Sequence, residues 1–214
     1  LLLQNLPVEL SAATPPVSMI WVDGLNLVNQ IPQAQDMARA FEACDFTVVV
    51  DAFLNDTAKR ADLILPCAIQ LEREDVLGSF MHNMVSLVSP CAEPPGEALE
   101  DYDILARLGS RLADPISLPA REQVFLTGID DTRVVGGISS LRQFGFVRAK
   151  QPMVAFPDLH FGHDDGLYRF PKSLSPEESA PADFPLQLLT LVRRNCVHSQ
   201  IAPGETHAPP TAYI

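Results

Sequence analysis

An uninterrupted β-branched run, Phe46-Thr-Val-Val-Val-Asp51, constrains the fold of this 214-residue chain more than any other feature. The run lacks the alternation of apolar and polar residues of a half-exposed strand, which is typical of a strand covered on both faces in a parallel sheet. The neighbouring elements predicted from apolar spacing are two strands, one helix and one short helical turn, at 17–22, 63–65, 33–43 and 56–61. Asp56 is placed to cap that turn. This order is that of βαβ units, so the sequence predicts the α/β class with a doubly wound, mostly parallel sheet.

The rest of the chain divides into less regular segments. An edge strand is predicted at 85–88, a helix at 101–112 and a further helix around 139–144. Residues 162–185 are dense in Pro, Asp, Ser and Glu and indicate a long surface connection, whereas 186–192 is again strand-like. The predicted regions are an α/β domain, an irregular or helical connecting region and the start of a β-rich domain, at 1–115, 116–185 and 186–214.

The charge balance excludes one class of partner. Fifteen basic residues against 27 acidic ones give a formal net charge of −12, and nucleic-acid binding depends on Lys and Arg that neutralise phosphates. We therefore expect no nucleic-acid partner. The four cysteines, at 44, 67, 91 and 196, form no CxxC pair, so neither a disulfide scaffold nor a Cys-based metal or iron–sulfur site is expected within this chain.

No apolar run in the sequence approaches the roughly 18 residues of a membrane helix, so no membrane contact is expected. The sequence begins without Met and ends on the apolar stretch Ala212-Tyr-Ile214, whereas natural termini tend to be polar. We therefore expect a piece of a longer polypeptide, whose targeting signals would lie outside this sequence. The cellular location stays open, with the cytoplasm preferred.

Asp51 ends the central predicted strand and is the first candidate for a ligand contact. Ligands of open α/β sheets bind beyond the carboxyl ends of the strands, where a carboxylate can hold a ribose hydroxyl or a purine N–H. An aspartate that caps the next turn is the alternative, and the residues alone leave both open. Asn26 follows the first strand in the same way and could donate to a phosphate or a sugar. The sequence contains neither GxGxxG nor GxxxxGK[ST], which disfavours a simple NAD site and a P-loop.

Other polar residues give weaker indications. Arg73 lies among acids in Glu72-Arg73-Glu74-Asp75; its fork suits a diphosphate or a carboxylate, although a solvated, salt-bridged face is the simpler interpretation. His160 and His163 lie beside two aspartates, but their segment is rich in turn residues, so no metal site is predicted there. No arrangement of nucleophile and base is recognised. Taken alone, these residues indicate an α/β ligand-binding domain and no reaction.

The stretch from Val48 to Pro66 resembles the signature of the molybdopterin oxidoreductase family, large subunits that resemble formate dehydrogenase, nitrate reductase and dimethyl-sulfoxide reductase. The shared pattern is a strand that ends in Asp, an acidic-Thr-Ala step at Asp56-Thr57-Ala58, then Ala61-Asp62 and an aliphatic-Leu-Pro stop. Further similar segments lie at 21–26, 71–75, 95–101, 165–170 and 188–200. The resemblance therefore covers essentially the whole chain.

This resemblance implies a formate dehydrogenase/DMSO reductase-like α/β domain, followed by the start of a C-terminal dinucleotide-binding β-barrel domain. It also implies a pair of pyranopterin guanine dinucleotides that hold molybdenum or tungsten. The full-length enzyme would catalyse the two-electron redox reaction of a small substrate, and the fragment alone is expected to be inactive. A [4Fe–4S] centre, the remaining domains of the same polypeptide and electron-transfer subunits are expected outside this sequence.

The residues matched to the family's nucleotide and pterin contacts are Asn26, Asp51, Thr57, Arg73, Asp101, Thr190, His198 and Ser199. No catalytic residue and no metal ligand is assigned within the chain. Two other functions stay open. One is a metal-free redox or structural subunit of a respiratory complex with the same fold, which the segment that would carry the metal ligand would distinguish. The other, a free-standing nucleotide-binding module, is disfavoured by the abrupt ends of the sequence.

Overall fold

The computed structural model describes residues 5–130, 132–174, 182–183 and 185–186. They form two compact units, one within 5–74 and 89–118 and the other within 75–88 and 119–186. None of the helices formed by these residues is long and apolar enough to cross a membrane. The predicted β-barrel start at 186–214 lies outside the described residues except for Leu186, so it stays a prediction.

The first unit is built on a three-stranded parallel sheet of β1 (Met19–Asp23), β2 (Phe46–Asp51) and β3 (Leu63–Pro66), in that order. β2 is the predicted β-branched strand and lies in the middle, with Thr47 to Val50 at most 1% exposed. The sheet confirms the predicted α/β class with parallel strands. The described strands follow one another in chain order, and the reversal of strand order that a doubly wound sheet has is not among them.

Helices complete the first unit: α1 (Leu6–Ala12), α2 (Leu27–Gln30), α3 (Ala34–Glu42) and α4 (Asp101–Gly109), with 3₁₀ turns at Ala58–Arg60 and Gln70–Glu72. α3 is the helix predicted at 33–43, one residue shorter at each end. Met37 and Phe41 are both fully buried and share one apolar core with Val49 of β2. Their four-residue spacing puts them on one face of α3, which is why this segment forms a helix that covers the sheet.

The helical turn after β2 is capped by a different residue from the one predicted. Asn55 Oδ1 accepts hydrogen bonds from the backbone N–H groups of Thr57 (3.0 Å) and Ala58 (2.9 Å). Asp56 instead accepts a hydrogen bond from Asn29, whose Nδ2 lies 3.2 Å from Asp56 Oδ2. The prediction of Asp56 as the cap was wrong because the 3₁₀ turn begins only at Ala58. A capping side chain must stand two or three residues before the N–H groups it binds.

The second unit contains an antiparallel sheet that the sequence did not predict. Its strands are β4 (Asp75–Leu77), β5 (Met84–Val88) and β6 (Phe146–Arg148), in that order, accompanied by α5 (Arg121–Gly128) and α6 (Gly137–Phe144). β5 was predicted as an edge strand and is instead the middle strand. Its two partners are only three residues long, too short for apolar alternation to reveal, and β6 is distant in sequence.

The hairpin of β4 and β5 groups with the second unit, although the predicted α/β domain at 1–115 includes it. The reason is the pairing of β5 with β6, which joins Met84 to Arg148 across a long stretch of chain. The region predicted as an irregular or helical connection, 116–185, contributes α5, α6 and β6. It also supplies a small apolar core, whose buried members are Val134, Ile138, Leu141 and Val147.

Thr47 and Asp62 join the start of β2 to the residue before β3. Asp62 Oδ2 accepts hydrogen bonds from Thr47 Oγ1 and from the Thr47 N–H, both at 2.8 Å. The Asp62 N–H donates in return to Thr47 Oγ1 at 3.1 Å. The bond from the hydroxyl, followed by the bond from the backbone, lowers the pKa of Asp62 below its ordinary value of 3.8, because both stabilise the charged carboxylate.

Asp62→Asn is expected to flatten the acid dependence of folding stability. Because the pKa of Asp62 is lower in the folded state than in the unfolded state, its stabilisation is complete well above pH 3.8 and disappears as the pH falls through the lowered folded-state pKa. The denaturant midpoint of the wild type should exceed that of Asp62→Asn at pH 7 and approach it in acid. Asp45→Asn, at an exposed position just before β2, is the matched control. Equal slopes against pH for wild type and Asp62→Asn would contradict this assignment.

Candidate functional site

The carboxyl ends of the three parallel strands form one polar edge. Asp23 is the last residue of β1 and Asp51 the last residue of β2. The strand register places Asp23 opposite Val50, and Asp51 opposite Pro66 at the end of β3. The Cys67 N–H donates to Asp51 O at 3.4 Å, which continues the pairing beyond β3. The residues that leave the three strands therefore lie side by side, at the edge where open α/β sheets bind ligands.

Arg73 and Asp101 join this edge as an ion pair. Cys67 forms an isolated parallel bridge with Leu99, and α4 begins at Asp101, two residues later. Arg73 Nη1 lies 2.5 Å from Asp101 Oδ2, and the two side chains are 27% and 32% exposed. The other carboxylate oxygen, Asp101 Oδ1, is buried and has no hydrogen-bond partner among the described residues. A buried acceptor of this kind is costly unless a donor reaches it.

Two pKa shifts show that these groups act on one another. Burial, and after it the charge of Asp101, raises the pKa of Asp23 above 3.8, and Arg73 is among the groups that oppose the shift. Burial also raises the pKa of the Cys67 thiol to about 11, with Asp101, Asp51 and Asp23 adding to the effect in that order. Both shifts have the same physical cause, since partly buried groups next to carboxylates resist taking a negative charge. The edge is therefore acidic, with Arg73 as a compensating cation.

Asp51 unites the two interpretations that the sequence left open. Its Oδ1 accepts a hydrogen bond from the Phe53 N–H at 2.9 Å, and its Oδ2 accepts one from Asn55 Nδ2 at 2.6 Å. Asp51 thus orders the turn that follows β2. A carboxylate offers about four acceptor positions, so these two bonds leave capacity for a ligand. The turn fixes the orientation of the carboxylate before any ligand arrives.

Asn26 and Thr57 are hydrogen-bonded to each other behind this edge. Asn26 is 8% exposed and Thr57 is fully buried. Thr57 Oγ1 donates to Asn26 Oδ1 at 2.9 Å and accepts from the Val28 N–H at 3.0 Å. Among the residues that the structure describes, Asn26 Oδ1 has this partner and Asn26 Nδ2 has none. The hydroxyl of Thr57 is thus engaged inside the protein.

The structure brings together five of the eight residues matched to the family's contacts. Asn26, Asp51, Thr57, Arg73 and Asp101 all belong to the first unit and to loops at or next to the carboxyl edge. Their binding role stays a prediction. The other three, Thr190, His198 and Ser199, lie outside the described residues.

Asp23 and Cys67 belong to the same edge and were not among the predicted contacts. The signal for Asp23 was present, because a carboxylate at the end of β1 occupies the same kind of position as Asp51 at the end of β2. Cys67 follows Pro66, the last residue of β3, and gave no comparable signal. In the described part of the chain no group of three or more His, Cys, Asp or Glu side chains is arranged to hold a metal ion.

Comparison with known proteins decides the family. The sequence profile described as molybdopterin oxidoreductase matches residues 5–111 of this chain, which include the entire parallel sheet and its polar edge. The chain belongs to the molybdopterin oxidoreductase family. The profile thus agrees with the resemblance that the stretch from Val48 to Pro66 indicated.

Relatives within the molybdopterin oxidoreductase family are similar over most of this chain. A probable oxidoreductase, YyaE, of Bacillus subtilis is 30% identical over 91% of this chain and 32% of its own length. A putative dimethyl sulfoxide reductase, the catalytic chain of that enzyme in Halobacterium salinarum, is 31% identical over 83% of this chain and 22% of its own length. The alpha chain of an F420-dependent formate dehydrogenase of Methanocaldococcus jannaschii is 33% identical over 50% of this chain and 16% of its own length. The chain therefore spans about a third or less of these relatives.

A solved structure shows the same fold. Acetylene hydratase from Pelobacter acetylenicus superimposes with a TM-score of 0.56, over 73% of this chain and 21% of that protein, at 21% sequence identity. At this identity the likeness concerns the fold alone. It places the α/β architecture described above among known members of the fold.

Cys67 is expected to be a slow nucleophile whose rate reports on the charge of the edge. With a pKa of about 11, roughly one thiol in a thousand is ionised at pH 8, and only the thiolate reacts. Alkylation by iodoacetamide in the cofactor-free protein, followed by peptide mass spectrometry, should label exposed Cys91 at least about tenfold faster than Cys67.

Asp101→Asn should lower the pKa of Cys67 and accelerate its alkylation, because it removes a neighbouring negative charge. Asp103→Asn, on the same helix but not among the groups that shift Cys67, should leave the rate unchanged. If Asp101→Asn left the pH profile of Cys67 alkylation where it was, the described proximity of Asp101 and Cys67 would be wrong.

Proposed function

We propose that the first unit holds the guanosine end of a molybdopterin guanine dinucleotide in a full-length molybdenum or tungsten oxidoreductase. The observation that carries this proposal is the carboxyl edge of the parallel sheet, where Asp23, Asp51 and Asp101 interact electrostatically and Asp101 Oδ1 is buried without a donor among the described residues. An edge rich in acceptors fits the part of a ligand that is rich in donors. Membership of the molybdopterin oxidoreductase family supports a molybdopterin-type cofactor.

The chemistry of guanosine matches the groups at this edge. Guanine offers N1–H and N2–H donors, ribose offers hydroxyls, and carboxylates are strong acceptors for all of them. Asp51, already oriented by Phe53 and Asn55, and Asp101 would accept these hydrogen bonds. The pterin-bound metal would supply the two-electron redox chemistry with a small substrate, while the protein binds and orients the cofactor.

Arg73 would act through Asp101 in this proposal. The sequence suggested that its guanidinium could meet a diphosphate, and in the structure it is an ion-pair partner of Asp101 Oδ2. With Oδ2 held by Arg73, Asp101 presents Oδ1 in a fixed position. Contacts with the phosphates and pterin from Thr190, His198 and Ser199 stay part of the proposal, as do the [4Fe–4S] centre and electron-transfer subunits.

The two-electron redox reaction and the guanine dinucleotide are both tested on the full-length protein from its native host. The proposal expects molybdenum or tungsten at about one per chain, together with two guanine nucleotides released on acid hydrolysis. Oxidised pterin fluorescence identifies the pterin part. Absence of both metal and pterin would contradict the proposal and favour the alternative, a metal-free subunit of a respiratory complex with the same fold.

Asp51→Ala is expected to weaken retention of the dinucleotide by about 1–3 kcal/mol, the scale of a lost hydrogen bond to a charged group. Asp51→Asn separates this from damage to the turn, because its amide oxygen can still accept from the Phe53 N–H while the negative charge is lost. The measurement is pterin and guanine content after dilution, with Asp45→Ala, at the opposite end of β2, as the control. Full pterin content and activity in both Asp51 variants would remove Asp51 from the site.

A further inference from the structure

The hydroxyl of Thr57 is the centre of a small buried hydrogen-bond network between the exits of β1 and β2. It donates to Asn26 Oδ1 at 2.9 Å and accepts from the Val28 N–H at 3.0 Å. Thr57 itself is held by Asn55, whose Oδ1 accepts from the Thr57 N–H at 3.0 Å. Asn55 in turn donates to Asp51. A continuous chain of hydrogen bonds therefore runs from the carboxylate at the end of β2 to the amide that follows β1.

This network determines which way the amide of Asn26 points. Thr57 is fully buried, and its hydroxyl has a single hydrogen, which needs an acceptor. If the amide of Asn26 were turned round, its Nδ2 would face Thr57 Oγ1, and the buried O–H would lose its acceptor, at the cost that any buried unsatisfied donor carries. Asn26 must therefore turn Oδ1 inwards and Nδ2 outwards.

The outward Nδ2 is the part of Asn26 that is left for a ligand. Asn26 is 8% exposed, and within the described residues its Nδ2 forms no hydrogen bond. The position lies three residues beyond Asp23, at the exit of β1. A donor fixed at an edge otherwise lined by carboxylates complements an acceptor atom on the same ligand.

We propose that Thr57 is a positioning residue, which locks the amide of Asn26 so that Nδ2 donates to an acceptor oxygen of the bound nucleotide. This inference rests on the proposed function and deepens it, because it separates a residue that touches the ligand, Asn26, from one that acts through it, Thr57. The acceptor oxygen belongs either to a phosphate or to the guanine carbonyl, and Asn26 Nδ2 can serve either one.

The experiment uses the full-length apoprotein and measures binding of GDP and of guanosine by titration calorimetry. Thr57→Val removes the hydroxyl at constant shape and frees the amide to turn, so GDP affinity should fall about tenfold, the scale of one misdirected hydrogen bond. Thr57→Ser restores the hydroxyl and should recover most of the affinity. Thr47→Val, which removes another buried hydroxyl of the same sheet at the start of β2, should leave GDP affinity unchanged although it destabilises the fold.

Asn26→Asp gives a test that does not depend on the stability of Thr57→Val. An aspartate still accepts from Thr57 but presents an oxygen where Nδ2 stood, so GDP affinity should fall by more than about tenfold. A fall for GDP alone identifies the acceptor as a phosphate oxygen, and an equal fall for guanosine identifies it as the guanine carbonyl. Both outcomes support the inference.

Two results overturn the inference in distinguishable ways. If wild type binds GDP but Asn26→Asp and Thr57→Val bind it equally well, Thr57 does not position a ligand contact, and the proposed function stands. If the wild-type apoprotein binds neither GDP nor guanosine, the proposed function fails and this inference fails with it. Loss of affinity in Thr57→Val that Thr57→Ser does not restore would assign Thr57 a purely structural role.

Discussion

The parallel pairing of β2 between β1 and β3 is the constraint on which the rest of the first unit depends. Because parallel strands all end at the same edge, this pairing brings Asp23, Asp51 and Cys67 into one row. The same pairing requires β2 to be covered on both faces, which explains its apolar, β-branched sequence. The strand thus places the polar groups at its end because its interior is so uniformly apolar.

The polar edge is organised by the need of buried polar groups for partners. The hydrogen bonds of Asp51, Asn55 and Thr57 link the β2 exit to Asn26, so the two loops at this edge are ordered as one piece. Asp101 shows the opposite situation, with one oxygen paired to Arg73 and the other buried without a donor among the described residues. A network that satisfies all but a few outward-facing atoms leaves those atoms as the natural points of ligand contact.

The predictability of each feature followed the range of the interaction behind it. β2 and α3 were predicted correctly because their signals, a continuous β-branched run and a four-residue apolar spacing, are local. The antiparallel sheet was not, because β4 and β6 are three residues long and β6 pairs with a strand far away in sequence. At the site, Asp51 was identifiable from its position after a strand. The ion pair of Arg73 with Asp101, 28 residues apart, and the turn of the Asn26 amide towards Thr57 are tertiary contacts that no spacing reveals.

The charge of the edge also limits how a dinucleotide can lie there. Three carboxylates with one arginine repel a diphosphate, and the raised pKa values of Asp23 and Cys67 are the same repulsion seen from inside the protein. On the proposed function, the nucleoside therefore lies against the carboxylates, and the phosphates point away from them. The fold alone does not choose the reaction, since a protein named acetylene hydratase shares it. What the first unit contributes is a fixed grip on one end of the cofactor, and the identity of the reaction is left to groups that surround the other end.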